Sequence, residues 1–334
     1  MNRSKQARMG KKTIIVVWLV GLALASPSLA AAQQPKHVPR IGFLFTASPA
    51  AFRSRIDAFR QGLQDLGYIE GQNIVTEYRY AEGKQDLATE LAAELIRLKV
   101  DLIVTSSTPG ILAIKKVSST IPIVFTSISD PVAIGLVASL ARPGGNMTGL
   151  TILGPELSGK RLELLKESFP NIKRVAILWN PDAEVNVFKT TQAAASTLGL
   201  QLQSLEVRTA NDFDSVFEAA IKERVQALLT IPTPVVNVNQ ARIIQFAAKN
   251  RLPAMYALPE FTDAGGLMSY APSYTALYHR AAWYVDKILK GANPADLPVE
   301  QPKTFEFIIN LKTAKQLGLT IPPNVLVRAD KVIK

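Results

Sequence analysis

Five times in this chain a short apolar, β-branched run ends in a small polar residue followed directly by proline: Ser48-Pro49, Thr108-Pro109, Asp130-Pro131, Asn180-Pro181 and Thr233-Pro234. Proline fixes φ and lacks an N–H, which suits the first turn of a helix, and Ser, Thr, Asp or Asn just before it can cap the free amides. Each pair therefore predicts a strand-to-helix corner. In an open parallel α/β sheet such corners lie at the carboxyl ends of the strands, where ligands bind. The side chains gathered there are hydroxyls and amides rather than catalytic groups, which points to the holding of a small polar molecule.

The periodicity around the corners agrees with α/β architecture. Residues 40–45, 100–105, 121–126, 174–179 and 227–231 are compact apolar runs, and 74–80 alternate. Residues 52–66, 86–98, 156–168 and 274–289 carry apolar residues at helical spacing, the last closed by Lys290-Gly291, a cation followed by a C′ glycine. Helix candidates also open at Pro109 and Pro131. After Arg142-Pro-Gly-Gly-Asn146 the strand–helix pattern restarts, with short strands predicted at 253–256 and 267–270. A proline-rich connector (Pro294, Pro298, Pro302) then leads to a strand at 305–309 and a helix at 311–317. The two halves share an architecture without a sequence repeat. The fold class expected is α/β, two Rossmann-like lobes with parallel sheets. The lobes expected are 38–147 with 274–300, and 148–273 with 301–330.

The amino end reads as a secretory leader over 1–32: Arg3, Lys5, Arg8, Lys11 and Lys12, an apolar run over 13–25, then small residues with cleavage patterns at Ser28-x-Ala30 and Ala30-x-Ala32. The apolar run is too short to span a bilayer, and no twin arginine is present, so Sec export to the periplasm is expected. Of the 38 Lys and Arg, five lie in this leader, so against 27 acids the remainder carries a formal +6 rather than the +11 of the whole chain. These cations are scattered, so no nucleic-acid partner is expected. With no cysteine and only His37 and His279, neither a lipid anchor on an N-terminal thiol, a disulfide, a metal site nor a cofactor is expected.

No catalytic pattern is complete. G-x-S-x-G does not occur, and neither histidine accompanies a serine nucleophile in a recognisable arrangement. Gly154-Pro-Glu-Leu-Ser-Gly159-Lys160-Arg161 resembles a P-loop but has arginine where Mg²⁺ needs Ser or Thr. Asn146-Met147-Thr148 matches a glycosylation sequon and reads as structural. There remains the set of corners with Thr46, Ser106 and Ser107 beside them, offering amide donors to an anion. Asp130 is the one acid among the pairs and suits an α-ammonium; Tyr256 and Tyr270 end two apolar runs and serve either a pocket wall or the core. A small zwitterion such as an amino acid fits this set.

Pro39-Arg-Ile-Gly-Phe43, Gly62-Leu-x-x-Leu-Gly-Tyr68-x-x-Gly71-x-Asn73, Pro122-Ile-Val-Phe125, Ser129-Asp-Pro131, Arg142-Pro-Gly-Gly-Asn-Met-Thr-Gly149 and Ile309-Asn-Leu-Lys-Thr-Ala314 together resemble the ABC-transporter substrate-binding proteins of the tryptophan/tyrosine-binding type. The resemblance implies a type I periplasmic-binding-protein fold, its lobes joined by a three-strand hinge and closing on a ligand. It implies delivery to a membrane permease with a cytoplasmic ATPase, by a chain that itself does no chemistry; a monomer is expected. Carried onto this sequence, the first-lobe contacts would be Thr46, Ser48, Ser107, Thr108, Thr126 and Asp130. Those of the second lobe would be Asn180, Glu184, Asn186 and Thr233, with Tyr256 and Tyr270 nearby. The family often has a Pro-x-Glu-Ala-Asn-like stretch where this chain reads Pro181-Asp-Ala-Glu-Val-Asn186, and an acid where Thr233 stands. A secreted α/β enzyme and a ligand-sensing ectodomain are the alternatives.

Overall fold

Parallel pairing dominates both sheets of the protein. The structure is a computed structural model describing residues 37–46, 49–82 and 84–334; the leader and Ser48 lie outside the described residues. The first sheet has the order β2 (Val75–Tyr80), β1 (Arg40–Phe45), β3 (Leu102–Thr105), β4 (Ile123–Ile128) and β5 (Met147–Thr151), every neighbour parallel. Helices α1 (Pro49–Asp65), α2 (Gln85–Arg97) and α3 (Thr108–Val117) connect its strands. The central strands β1 and β3 are buried on both faces, as parallel sheets between helix layers require.

The second sheet runs in the order β12 (Lys331–Ile333), β11 (Phe305–Asn310), β10 (Met268–Pro272), β9 (Ala254–Tyr256), β8 (Ala227–Thr230), β6 (Arg174–Trp179) and β7 (Gln201–Glu206). Among the described residues only β10 and β11 pair antiparallel. The helices of this lobe are α4 (Gly154–Ser168), α5 (Val185–Thr197), α6 (Phe213–Lys222), α7 (Pro234–Val238), α8 (Gln240–Lys249) and α9 (Pro259–Asp263). The chain then returns to the first lobe as α10 (Tyr274–Leu289), and ends in the second with α11 (Leu311–Leu317) and α12 (Pro323–Leu326). Helices α1 and α10 press together closely: a Cβ at Gly62 would stand 2.4 Å from the His279 carbonyl oxygen.

Within the described residues the chain passes between lobes three times: after β5, between β10 and α10, and on the approach to β11. The passages bond to one another, with Thr151 N donating to Glu300 O at 3.0 Å, Glu300 N to Gly149 O at 3.0 Å and Ser273 N to Thr304 O at 3.0 Å. Gly149 has φ of +142°, and a Cβ there would lie 1.9 Å from Phe125 O, so only glycine lets β5 approach β4 where the register shifts. Because β5 pairs with β4, the boundary expected after 147 falls inside a strand of the first sheet. Pro39–Lys334 is one compact unit, and of the preceding unit only His37 and Val38 are described.

The corners differ from expectation in their local form. Thr233 caps α7 as predicted, its Oγ1 accepting from Val236 N at 3.4 Å. At the 108–109 corner the cap is one residue earlier: Ser107 Oγ accepts from Gly110 N at 3.2 Å, and Thr108 is already helical. After Asp130-Pro131 the chain makes successive turns and no helix, with Asp130 Oδ1 accepting from Ala133 N at 3.0 Å. After Asn180-Pro181 comes another turn, Asn180 Oδ1 accepting from Asp182 N at 2.8 Å, and α5 starts only at Val185. Asp and Asn satisfy a neighbouring backbone amide within a turn as readily as at a helix start. The pair therefore marks a corner without deciding whether a helix or a turn comes next.

Candidate binding cleft

Between the lobes lies a cleft of three chambers that share walls. The inner chamber, about 70 Å³, has room for several waters and is lined by the strand-end residues Thr46, Ser106, Ser107, Thr108, Ser127 and Ser129 of the first lobe. Arg55, Phe52 and Tyr274 complete that side, and Glu184, Thr233, Asn237 and Leu258 face them from the second lobe. Through Thr108, Ser129, Ala183 and Glu184 it adjoins an outer chamber of about 320 Å³, walled by Asp130, Ile134, Val185, Asn186 and Val187 among others. On another side, Thr46, Pro109 and Ala183 border a chamber of about 100 Å³ with Asn180, Lys84 and Arg208.

The first-lobe wall is a chain of hydroxyls fixed by the strand ends. Thr46 Oγ1 donates to Ser107 Oγ at 3.1 Å, and Ser127 Oγ donates to the Ser106 carbonyl at 3.1 Å. Two contacts cross to the second lobe: Ser129 Oγ donates to Glu184 Oε1 at 3.0 Å, and Asn186 Nδ2 donates to Asp130 Oδ2 at 2.7 Å. A third is the ion pair of Arg55 Nη2 with Glu260 Oε1 of α9.

Two charges dominate the inner chamber. Burial raises the Glu184 carboxyl to about 7, with the Asp130 charge adding to the rise and the Ser129 hydrogen bond opposing it. Its side chain keeps some contact with solvent in the cleft, yet protein encloses it on nearly every side. Burial works against the Arg55 cation, but Glu260 and the neighbouring tyrosines outweigh it, so its pKa lies above the ordinary arginine value. The guanidinium carbon lies 4.2 Å from the Tyr274 ring centroid and 5.4 Å from that of Phe52, within cation–π range.

Thus Thr46, Ser107, Thr108, Glu184 and Thr233 come together in the inner chamber, Asp130 and Asn186 in the outer one, and Asn180 in the third. Three expected contacts do not. Thr126 is fully buried and its hydroxyl turns to the Thr105 carbonyl at 3.5 Å, because side chains alternate along β4 and it is Ser127 and Ser129 that share the cleft face. Tyr256 is a core residue, 1% exposed and stacked on Phe261 at 4.8 Å. Tyr270 packs on Phe305 and Phe307 and lines none of the three chambers.

Arg55, Asn237 and Tyr274 are cleft residues that the sequence motifs do not single out. Arg55 falls on the core-facing stripe of α1 with Phe52, Ile56 and Phe59, and a lone cation on an apolar stripe is a signal. Asn237 and Tyr274 give none. Arg161, the residue that spoils the P-loop pattern, is 1% exposed and donates from Nε to the Tyr270 carbonyl at 2.7 Å, away from the chambers. His279 Nε2 lies 2.8 Å from Asp65 Oδ2 on the surface of the first lobe. Among the described residues no three His, Cys, Asp or Glu side chains gather as a metal would need.

Two α/β lobes on a three-strand hinge, with a hydroxyl-lined cleft at the strand ends, define a type I periplasmic-binding-protein fold. Residues 41–333 match the family model of the ABC transporter substrate binding protein, and the chain belongs to that family, whose members are solute-binding proteins and not enzymes. It is 28% identical over 266 residues to a tyrosine-binding protein of Clostridioides difficile (strain R20291), spanning 78% of this chain and 75% of that protein. A Streptococcus pneumonia ABC domain in complex with L-Trp shares 26% identity with a TM-score of 0.83, covering 89% of this chain and 100% of that one. The ligand-free, open structure of a substrate binding protein with adhesive properties from Clostridium difficile also shares 26% identity, over 89% of this chain and 99% of that one, but with a TM-score of 0.66. The protein thus superposes more closely on the L-Trp complex than on the open structure.

Proposed function

We propose that this protein is the extracytoplasmic receptor of an ABC importer, capturing an amino acid with an aromatic side chain in the interlobe cleft and delivering it to a membrane permease driven by a cytoplasmic ATPase. The observation that carries the reading is the inner chamber, which presents one cation and one carboxylate among hydroxyls and is bridged from lobe to lobe by the Ser129–Glu184 hydrogen bond. A zwitterion needs both charges and a ring of donors and acceptors. The outer chamber, with Ile134, Val185 and Val187 in its wall, offers apolar surface to a side chain. The tyrosine and tryptophan of the relatives support the choice of ligand class. Binding would favour the closed state over the open one, and the permease distinguishes the two. The cationic, apolar leader supports export to the periplasm, and the receptor acts as a monomer.

The test is calorimetry and thermal shift with the twenty amino acids, purines and small carboxylates. L-tyrosine or L-tryptophan at about 100 times its dissociation constant should stabilise the protein by about 2.7 kcal/mol. Stabilisation by a purine or a dicarboxylate, with none from any amino acid, refutes the reading.

A further inference from the structure

We propose that Arg55 is the residue that holds the ligand's carboxylate, so that the inner chamber is a carboxylate subsite. This deepens the amino-acid reading of the cleft and rests on it.

Arg55 is 7% exposed and is the sole Lys or Arg among the residues lining the inner chamber. Its plane is set by the rings of Tyr274 and Phe52, and Nη2 is engaged by Glu260. Nε, by contrast, is buried and has no hydrogen-bond partner. A buried N–H left unpaired is costly, and nearly all such groups in folded proteins find an acceptor. From the second lobe, Asn237 Oδ1 is likewise buried and unpartnered and lines the same chamber. Arg55 thus brings an unsatisfied donor to the wall of the chamber, whereas the Asn237 oxygen, an acceptor, suits the ligand's ammonium and not its carboxylate.

The order of the chambers fits an α-amino acid. Arg55 lines only the inner chamber, Glu184 lines both inner and outer chambers, and the apolar wall lies outermost. The carboxylate would accept from Arg55 Nε at the inner end. The ammonium would meet Glu184 at the neck, and the side chain would extend outward. Glu260 is absent from the chamber lining and keeps the guanidinium's charge compensated when the cleft is empty. The competing account is structural: Glu260 Oε2 is also unpartnered, and a small rotation would let Nε close a two-point ion pair with it.

The experiment separates these by ligand charge. L-tyrosine and L-tryptophan, and the amide of each, are titrated calorimetrically into the wild type and into the double variant Arg55→Gln, Glu260→Gln, which leaves no unpaired carboxylate. Melting temperatures within a few degrees of each other establish that the variant folds. A carboxylate contact through a charge-assisted bond predicts at least about a tenfold loss of affinity for the amino acid and little change for its amide. Equal losses for acid and amide, or no loss for either, overturn the role of Arg55 while leaving the receptor reading intact. A wild type that binds neither amino acid overturns the aromatic amino-acid reading of the cleft, and the carboxylate subsite with it.

Discussion

Arg55 in the first lobe and Arg161 in the second are both buried arginines, and both act electrostatically on Tyr274, where the chain crosses back into the first lobe. Arg55 faces the cleft with Glu260 as its counter-charge and two aromatic rings about it. Arg161 has no carboxylate: its Nε is held by a backbone carbonyl, its Nη2 has no partner, and burial lowers its pKa to about 10. At that value the guanidinium still carries its charge at neutral pH, and the drop is a measure of what burial costs it, roughly 3 kcal/mol. Burial alone does not make a charge useful. A compensated cation is held at little cost and is available to a ligand, whereas an uncompensated one keeps its charge at a cost to the fold.

Opposite signs are therefore expected when each is replaced by methionine, a chain of comparable reach. Arg55→Met leaves Glu260 without its cation and should destabilise by about 2 kcal/mol, below what a fully buried pair would cost because the Glu260 side chain is 36% exposed. Adding Glu260→Gln should restore most of the loss in chemical denaturation; a loss that persists would mean that packing on Tyr274 matters more than charge. Arg161→Met should instead stabilise by about 1–2 kcal/mol, since the relief of an unpaired charge exceeds one lost hydrogen bond to the Tyr270 carbonyl. Destabilisation of similar size would erase the contrast between the two arginines.

Glu184 carries the same contrast to an acid with no neighbouring base. Its carboxyl is raised from 4.5 to about 7 by burial, so the folded protein binds this proton more tightly than the unfolded chain does. The contribution is fully present below about pH 4.5 and is lost as pH rises through about 7. Screening in the cleft keeps it to about 1 kcal/mol. The melting temperature of Glu184→Gln should lack this decline between about pH 4.5 and 7, with the Asp130 charge that faces Glu184 unchanged. A difference that does not vary with pH would remove Glu184 as its source. The smallest effect is expected at Asn186→Ala, which removes an exposed hydrogen bond to Asp130 and should alter stability by less than about 0.5 kcal/mol in the same denaturation assay.

Much of the architecture is legible in the chain. The strand at 174–179 and the helices at 274–289 and 311–317 lie where the periodicity puts them. The corners are real, but whether a helix or a turn succeeds Asp130 and Asn180 is not legible, since both forms satisfy the same backbone amides. In the cleft, the hydroxyls at strand ends are legible because parallel topology sends them all to one edge. Thr126 is off by one residue in a pattern of period two. Tyr256 stays ambiguous in the sequence, and it is Phe261 and Gly266, packed against its ring, that make it a core residue.

Capping and side-chain periodicity act within a few residues, and so the α/β class, the positions of the corners and the hydroxyl character of the cleft are all written locally along the chain. Which polar groups meet in the inner chamber, and which charges are compensated there, depends on the folded arrangement. Arg55 and Glu260 stand 205 residues apart, and no local rule connects them. Burial and counter-charge are properties of the place to which two distant segments fold, and they set what Arg55, Glu184 and Arg161 can each do.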